Sequence, residues 1–358
     1  MRQRLFRNAS GTDLFMWLIG ASILGAVIYG SIATLASGRY TGEQWIDFFV
    51  FGLAQGSVYA LIALGYTLVY GVLFIVNFAH GEVFMSGAFT AYFVAEAFFE
   101  RDYFKEPGFN LKDLMALAVV LLAAMITSVI VAVILERVAY RPLRRAPRLV
   151  PLITAIGASF FLQYTFRGLY GSGIKTYPDV AMLKGDLSFL GIQLLKTQAV
   201  VIVSAVLLMV GLSWLVYRTK TGKAMRAVSE DKDVAALMGV NVDRVIVITF
   251  IVGAALAGAA GVMYALLFKQ VQFFMGFVPG IKAFTSAVLG GIGNIPGAML
   301  GGMFLGIFES LGPNLFLEGL GIPAVNQLKD VIAFTLLVLV LIFRPSGILG
   351  ERLAQKKA

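Results

Sequence analysis

The sequence predicts an all-α integral membrane protein, a polytopic helical bundle of about nine apolar segments with one of them broken or re-entrant. Three observations predict it. Hydrophobic residues make up 59% of the 358 residues and charged residues only 14%, and the mean hydropathy is +0.86. Apolar runs near the roughly 20 residues needed to cross a bilayer recur along the chain. The formal charge of +9 lies between those runs, where Lys and Arg mark the cytoplasmic side, so it speaks for topology and against a nucleic-acid partner. With no Cys and a single His, disulfides, thiolate chemistry and Cys- or His-based metal and haem sites fall away, and no cofactor is expected.

The runs fall at Leu14–Ala36, Phe48–Val76, Gly81–Phe99, Leu114–Leu135, Val150–Tyr170, Thr197–Tyr217, Val245–Phe268, Ile281–Leu311 and Val331–Phe343. The first follows Arg2, Arg4 and Arg7, but its length and the poor cleavage match at Ser37-Gly38-Arg39 make it a signal-anchor helix and not a removed signal. Orientation follows from loop charge. Glu136–Leu149 carries Arg137, Arg141, Arg144, Arg145 and Arg148 against Glu136 alone and is cytoplasmic, whereas Glu100–Asp113 is balanced and external. The polar loop Arg218–Arg244 then lies inside, as does the tail with Arg344, Arg352, Lys356 and Lys357. That parity requires Ile281–Leu311 to fold back on itself, and Gly293-Asn294-Ile295-Pro296 is an evident place for the break. Residues 1–44 are read as an added helix, and 45–358 as one membrane domain.

Four groups of residues could carry function. In the polar loop, Thr221 is placed to cap one helical turn, and Glu230 or Asp231 to start a second helix that Gly239 ends. There Ala235, Ala236 and Gly239 form a small-residue surface, suited to docking in a groove or to an ordinary solvated connector. In the Gly-rich stretch, no Lys-Ser/Thr follows as a phosphate loop requires. Gly297/Gly301 and Gly302/Gly306 have the spacing of close helix packing, while Gly290, Gly291, Gly293, Asn294 and Pro296 suit either packing or a gate. Tyr59, Tyr66, Thr67 and Tyr70 form a polar face that either lines a path or packs. After them comes a turn at the cytoplasmic face, where Asn77 or His80 suits a cap and Glu82 complements a helix N-terminus, with Asn77 also a candidate for the path or gate. Finally, Glu96, Arg167, Lys269, Lys282 and Glu309 lie near segment ends, where snorkelling explains them. On that reading no acid is buried, which weighs against a proton-driven carrier. A lone His offers little to a membrane enzyme, so none is expected.

GSVYALIALGYTLVYGVLFIVNFAHGE (56–82), ERVAYRPLR (136–144), AVSEDKDVAALMGVNVDRVI (227–246), KAFTSAVLGGIGNIPGAMLGG (282–302) and RPSGILG (344–350) together resemble the LivH-type permeases of bacterial branched-chain amino acid ABC importers. The resemblance runs in order from about Trp45 to Gly350. It implies a multi-pass subunit of the inner membrane, paired with a related second permease. Two ATP-binding subunits would drive it and a periplasmic amino-acid-binding protein would feed it. Within it Glu230–Gly239 looks like a degenerate coupling loop, a lever on which ATP-driven closure of the partners would act to alternate access. Permeases for urea or short amides share much of this pattern. A secondary carrier or channel would instead work without ATPase partners.

Overall fold

The computed structural model describes residues 11–350 apart from 145, 148, 190, 191, 344 and 345. Arg2, Arg4, Arg7, Arg145, Arg148, Arg344, Arg352, Lys356 and Lys357, used above for orientation, lie outside the described residues. The chain forms α1 (Gly11–Ser37), α2 (Gly42–Leu73), α3 (His80–Phe99), α4 (Leu111–Leu135), α5 (Leu149–Tyr170), α6 (Lys196–Arg218), α7 (Lys220–Glu230), α8 (Lys232–Leu237), α9 (Val242–Phe268), α10 (Phe277–Gly290), α11 (Ile295–Gly312) and α12 (Lys329–Phe343). Among the described residues eight helical stretches are long and apolar enough to cross a membrane, and α10 is a shorter apolar helix. The expected break is present: α10 and α11 are separate helices joined by a turn at 291–294.

Helix starts follow local side-chain chemistry. Thr41 and Gln44 make a reciprocal capping box before α2, Asn110 accepts from the Lys112 amide at the start of α4, and Asn241 accepts from the Arg244 amide at the start of α9. Each satisfies an amide that the first helical turn leaves open. The first polar-loop helix is capped by Thr219, whose hydroxyl accepts from the Gly222 amide, and not by Thr221, which falls inside α7.

Small residues decide which helices form the core. In lipid, burying apolar surface gives no net drive toward another helix, so association rests on close backbone approach and on polar contacts. α11 runs along α2 with Gly302 against Ala60 and Gly306 against Gly56. α9 meets α3 and α4 where Gly258 lies beside Gly87, Ala124 and Ser128, and it meets α2 where Gly253 faces Gly65. The outer helices expose large apolar side chains instead, such as Trp17 on α1, Phe161 on α5 and Trp214 on α6, as contact with lipid requires. α1 is docked and not free. Gly30 abuts the backbone of Phe316, Arg39 pairs with Glu318 at 2.6 Å, and Trp17 packs edge-on against Phe343.

Two short antiparallel ribbons stand in the connections: β1 (Lys175–Thr176) with β4 (Gln270–Val271), and β2 (Asp186–Phe189) with β3 (Ile192–Leu195), register Asp186↔Leu195. Beside the first, Asp179 takes Lys184 at 3.0 Å and Lys269 at 3.2 Å. These hydrogen-bonded ammonium groups hold its carboxyl below the usual range.

Candidate functional site

The polar loop folds into two helices seated on the bundle. Asp231 ends α7 and starts α8, its carboxylate accepting from the Asp233 and Val234 amides at 2.9 and 3.0 Å. Gly239, at φ +84°, terminates α8 in the left-handed conformation that glycine adopts without cost, and the Val240 amide reaches back to the Ala235 carbonyl. Glu230 is the last residue of α7 and not the first of the next helix. The exposed surface differs from the small-residue patch read from the sequence. Ala235 is buried, facing the bundle, because a six-residue helix lying on a surface must bury one stripe. Ala236 and Gly239 stay exposed, but the outward face is dominated by Leu237, 86% exposed, and Met238, 80% exposed. Two large apolar side chains held out by a capped helix have no role in the fold of this chain.

α8 is tied to the end of α2, and the start of α9 that follows it is tied to the end of α4. The Lys232 ammonium lies 5.6 Å from the ring of Phe74, the residue that ends α2. Burial, and then the nearby Arg144, lower its pKa. Arg144 bridges Glu136, fully buried at the end of α4, to Asp243 in the first turn of α9. The Glu136–Tyr140 segment is a single π turn, and from it Tyr140 donates to the Asn77 side chain. Read in the sequence, Arg144 has only a topological meaning. Its fork of donors makes it the joint between α4, α9 and the polar loop.

The hairpin lies toward the same end of the bundle, since α11 runs antiparallel to α2 and begins near the end that Phe74 and α8 share. Asn294 caps α11 by accepting from the Gly297 amide at 3.0 Å, with Pro296 in its first turn. Gly290 packs on Gly297, and Gly301 packs on Ser286 and Gly290, so α10 and α11 are in backbone contact over the turns next to the hairpin. Gly291, at φ +105°, is closed in, while Gly293, at φ +93°, has open space around it.

The polar residues of the core are placed otherwise than expected. Asn77, His80 and Glu82 are buried, and none caps at a solvent face. The α3 start is tucked inward, with His80 against Gly65 and Tyr66 and with Gly81 against Gly276 at the start of α10. Glu82 accepts from Gln163 at 2.7 Å and Ser159 at 3.1 Å, which holds α5 to α3. Tyr59, Tyr66 and Thr67 are buried as well, and Tyr70 is half-buried. Snorkelling does not describe Lys282 and Glu309. Both are buried and pair at 2.7 Å, and Lys282 also reaches Asp330 on α12 at 2.6 Å. Gln55 donates to Glu309 at 2.8 Å and to the Tyr59 hydroxyl at 2.6 Å. Buried acids are therefore present, contrary to the snorkelling expectation, and their absence cannot weigh against proton coupling. Only the heptad-independent spacing of one Lys and one Glu across the hairpin could have signalled this pairing, and it becomes visible once α10 is folded onto α11.

Comparison with known proteins then fixes the family. The family described as "Branched-chain amino acid transport system / permease component" matches residues 48–341. The chain is 43% identical over 316 residues to the high-affinity branched-chain amino acid transport system permease protein BraD of Pseudomonas aeruginosa, covering 87% of this chain and 98% of that protein. It is 40% identical over 308 residues to LivH of Escherichia coli K12, a permease protein of the same description, covering 85% and 95%. A probable LivH of Methanocaldococcus jannaschii is 27% identical over 303 residues, covering 83% and 90%. No solved structure matches the chain. A multi-pass helical membrane protein matched over nearly the whole length of these relatives, the chain belongs to the family of branched-chain amino acid transport system permease components.

Proposed function

We propose that this chain is a transmembrane permease subunit of a binding-protein-dependent ABC importer for branched-chain aliphatic amino acids, set in the inner membrane of its cell. It pairs with a related second permease. Two ATP-binding subunits dock on its polar loop, and a periplasmic amino-acid-binding protein delivers substrate from the other side. ATP hydrolysis belongs to the partner chains. The names of the relatives favour branched-chain amino acids over the urea or amide reading.

The observation that carries the mechanism is α8. Leu237 and Met238 project from a helix capped at both ends, on a base fixed by Ala235 and by Lys232 over Phe74, with the Arg144 joint at the start of the next helix. An apolar knob of this kind buries its side chains in a partner's groove, where each supplies roughly 1.5–3 kcal/mol of transfer free energy. Motion of the partner then passes through Asp243 and Phe74 into α9 and α2. The docking residues are Asp231, Ala236, Leu237, Met238 and Gly239, with Glu230 at the α7 end and Ala235 as the inward anchor.

Reconstituted complex tests this with Leu237→Asp, which places a charge in the groove and leaves the α8 caps intact. Leucine-loaded binding protein should stimulate ATP hydrolysis of wild type and fail to stimulate the variant, at equal levels of permease in the membrane. Full stimulation of the variant would discard α8 as the lever. Uptake by this chain alone, without ATPase subunits, would discard the importer reading.

A further inference from the structure

α12 is the helix whose attachment most needs an explanation. Among its residues only Ala333 is buried, and in lipid its apolar surface gains nothing by leaving the acyl chains for another helix. Polar fasteners therefore add to its apolar contacts with Trp17, Leu305 and Gly312 and hold it in register, and among the described residues there is one at each end. At the start of α12, Asp330 accepts from the Lys282 ammonium at 2.6 Å, and the same ammonium is held by Glu309 at 2.7 Å. Lys282 thereby joins α10, α11 and α12, and Gln55 extends the network to α2. Beyond the other end of α12, about 20 Å away at 1.5 Å per residue, the segment 346–350 lies on the hairpin turn. The Ile348 amide donates to the Leu289 carbonyl at 2.8 Å, the Leu349 amide to the Gly290 carbonyl at 3.1 Å, and the Asn294 side chain to the Leu349 carbonyl at 2.8 Å. Gly291 and Gly347 both have positive φ and interlock so closely that a Cβ on Gly347 would come within 2.5 Å of the Gly291 nitrogen.

We infer that Lys282 is a positioning residue which, with the strap at 346–350, fixes α12 on the α10–α11 hairpin so that the three helices move as one body during transport. The inference rests on the importer reading above. The two fasteners differ in kind. The strap is made of backbone bonds and the neutral Asn294 amide and is independent of side-chain charge, whereas the Lys282 bridge ends at an Asp330 side chain that is 43% exposed and can be weakened without uncovering Glu309. The Lys282–Glu309 pair stays when Asp330 loses its charge, so Asp330→Asn loosens α12 alone.

The absence of Cys allows the body to be locked directly. In the full complex, Ile292→Cys in the hairpin turn with Ile348→Cys, positions that are half-buried and exposed, is bridged by a short bis-thiosulfonate that leaves a disulfide at each thiol. Uptake by the bridged complex should equal that of the same complex after reduction, because the bridge joins parts that do not separate. A loss of uptake that reductant restores would overturn the single body. For the Lys282 arm, Asp330→Asn should raise ATP hydrolysis in the absence of binding protein by about fivefold or more and lower the amino acid taken up per ATP. Asp330→Glu should restore both, a rescue that a merely structural loss would not show. Wild-type hydrolysis and stoichiometry in Asp330→Asn would remove Lys282 from this role. If Asp330→Asn fails to assemble, the crosslink still decides between one body and two. ATP-independent uptake would defeat the importer reading and not the inference drawn from it.

Discussion

Charged side chains that a lipid-facing sequence should push to its ends are instead spent on joints. Arg144 is the clearest case, since Glu136 is fully buried and its one cationic partner among the described residues is Arg144. Arg144→Ala leaves that carboxylate uncompensated, a change that costs about 3–5 kcal/mol in buried pairs. The variant complex should therefore lose its folded fraction at a lower temperature in detergent than wild type. Adding Glu136→Gln in the same chain should recover most of the loss, because a neutral amide costs far less to bury than a charge. Equal melting of Arg144→Ala and wild type would show that water already reaches Glu136. Leu237 belongs to the same scale but to a different purpose: its exposure contributes nothing within this chain, which is why Leu237→Asp separates coupling from folding.

Helices meet here through glycine, and the substitutions that matter are those that add atoms. At Gly301 even a Cβ would run into the Ser286 carbonyl oxygen and the Gly290 backbone. Gly301→Leu should therefore lower the amount of assembled complex more than Leu305→Ala, although Leu305 is fully buried. Removing side-chain atoms leaves a void that neighbours partly fill, whereas a backbone contact has nothing flexible to yield. Quantifying purified complex for the two variants checks this, and comparable yields would mean that α10 and α11 can part without penalty. The sequence announced the hairpin through the Pro296 break and the four-residue glycine spacing. It did not announce that α3 starts deep against Gly276 or that the end of α4 unwinds into a π turn, because neither has a local signal.

At the scale of the whole molecule, the fold-back of α10–α11 returns α12 to the side on which α8 lies. Single Cys probes test that arrangement in a chain with no other thiol. Cys at Asp233 should react only from the side of the polar loop, and Cys at Ser188 or Asn326 only from the opposite side; all three positions are exposed. Asn314, by contrast, is buried and would report on packing instead of sidedness. Reaction of Asn326→Cys from the polar-loop side would break the topology and with it the placing of the strap near the ATPase subunits.

By itself the sequence determined the class, the approximate spans, the hairpin break, the polar loop with a helix that starts at Glu230 or Asp231 and ends at Gly239, and the family. These are legible because hydropathy, helix capping and glycine spacing act over a few residues, and because family motifs preserve their order. Only the tertiary structure decided that Ala235 faces inward while Leu237 and Met238 face out, that Arg144 joins Glu136 to Asp243, and that Lys282 is held by Glu309 and Asp330. The physical reason is that each depends on what the fold brings against a side chain. Residues 27, 48 and 99 positions apart pair across folded helices, and the sign of a charge in a sequence does not say whether water, lipid or an opposite charge will meet it.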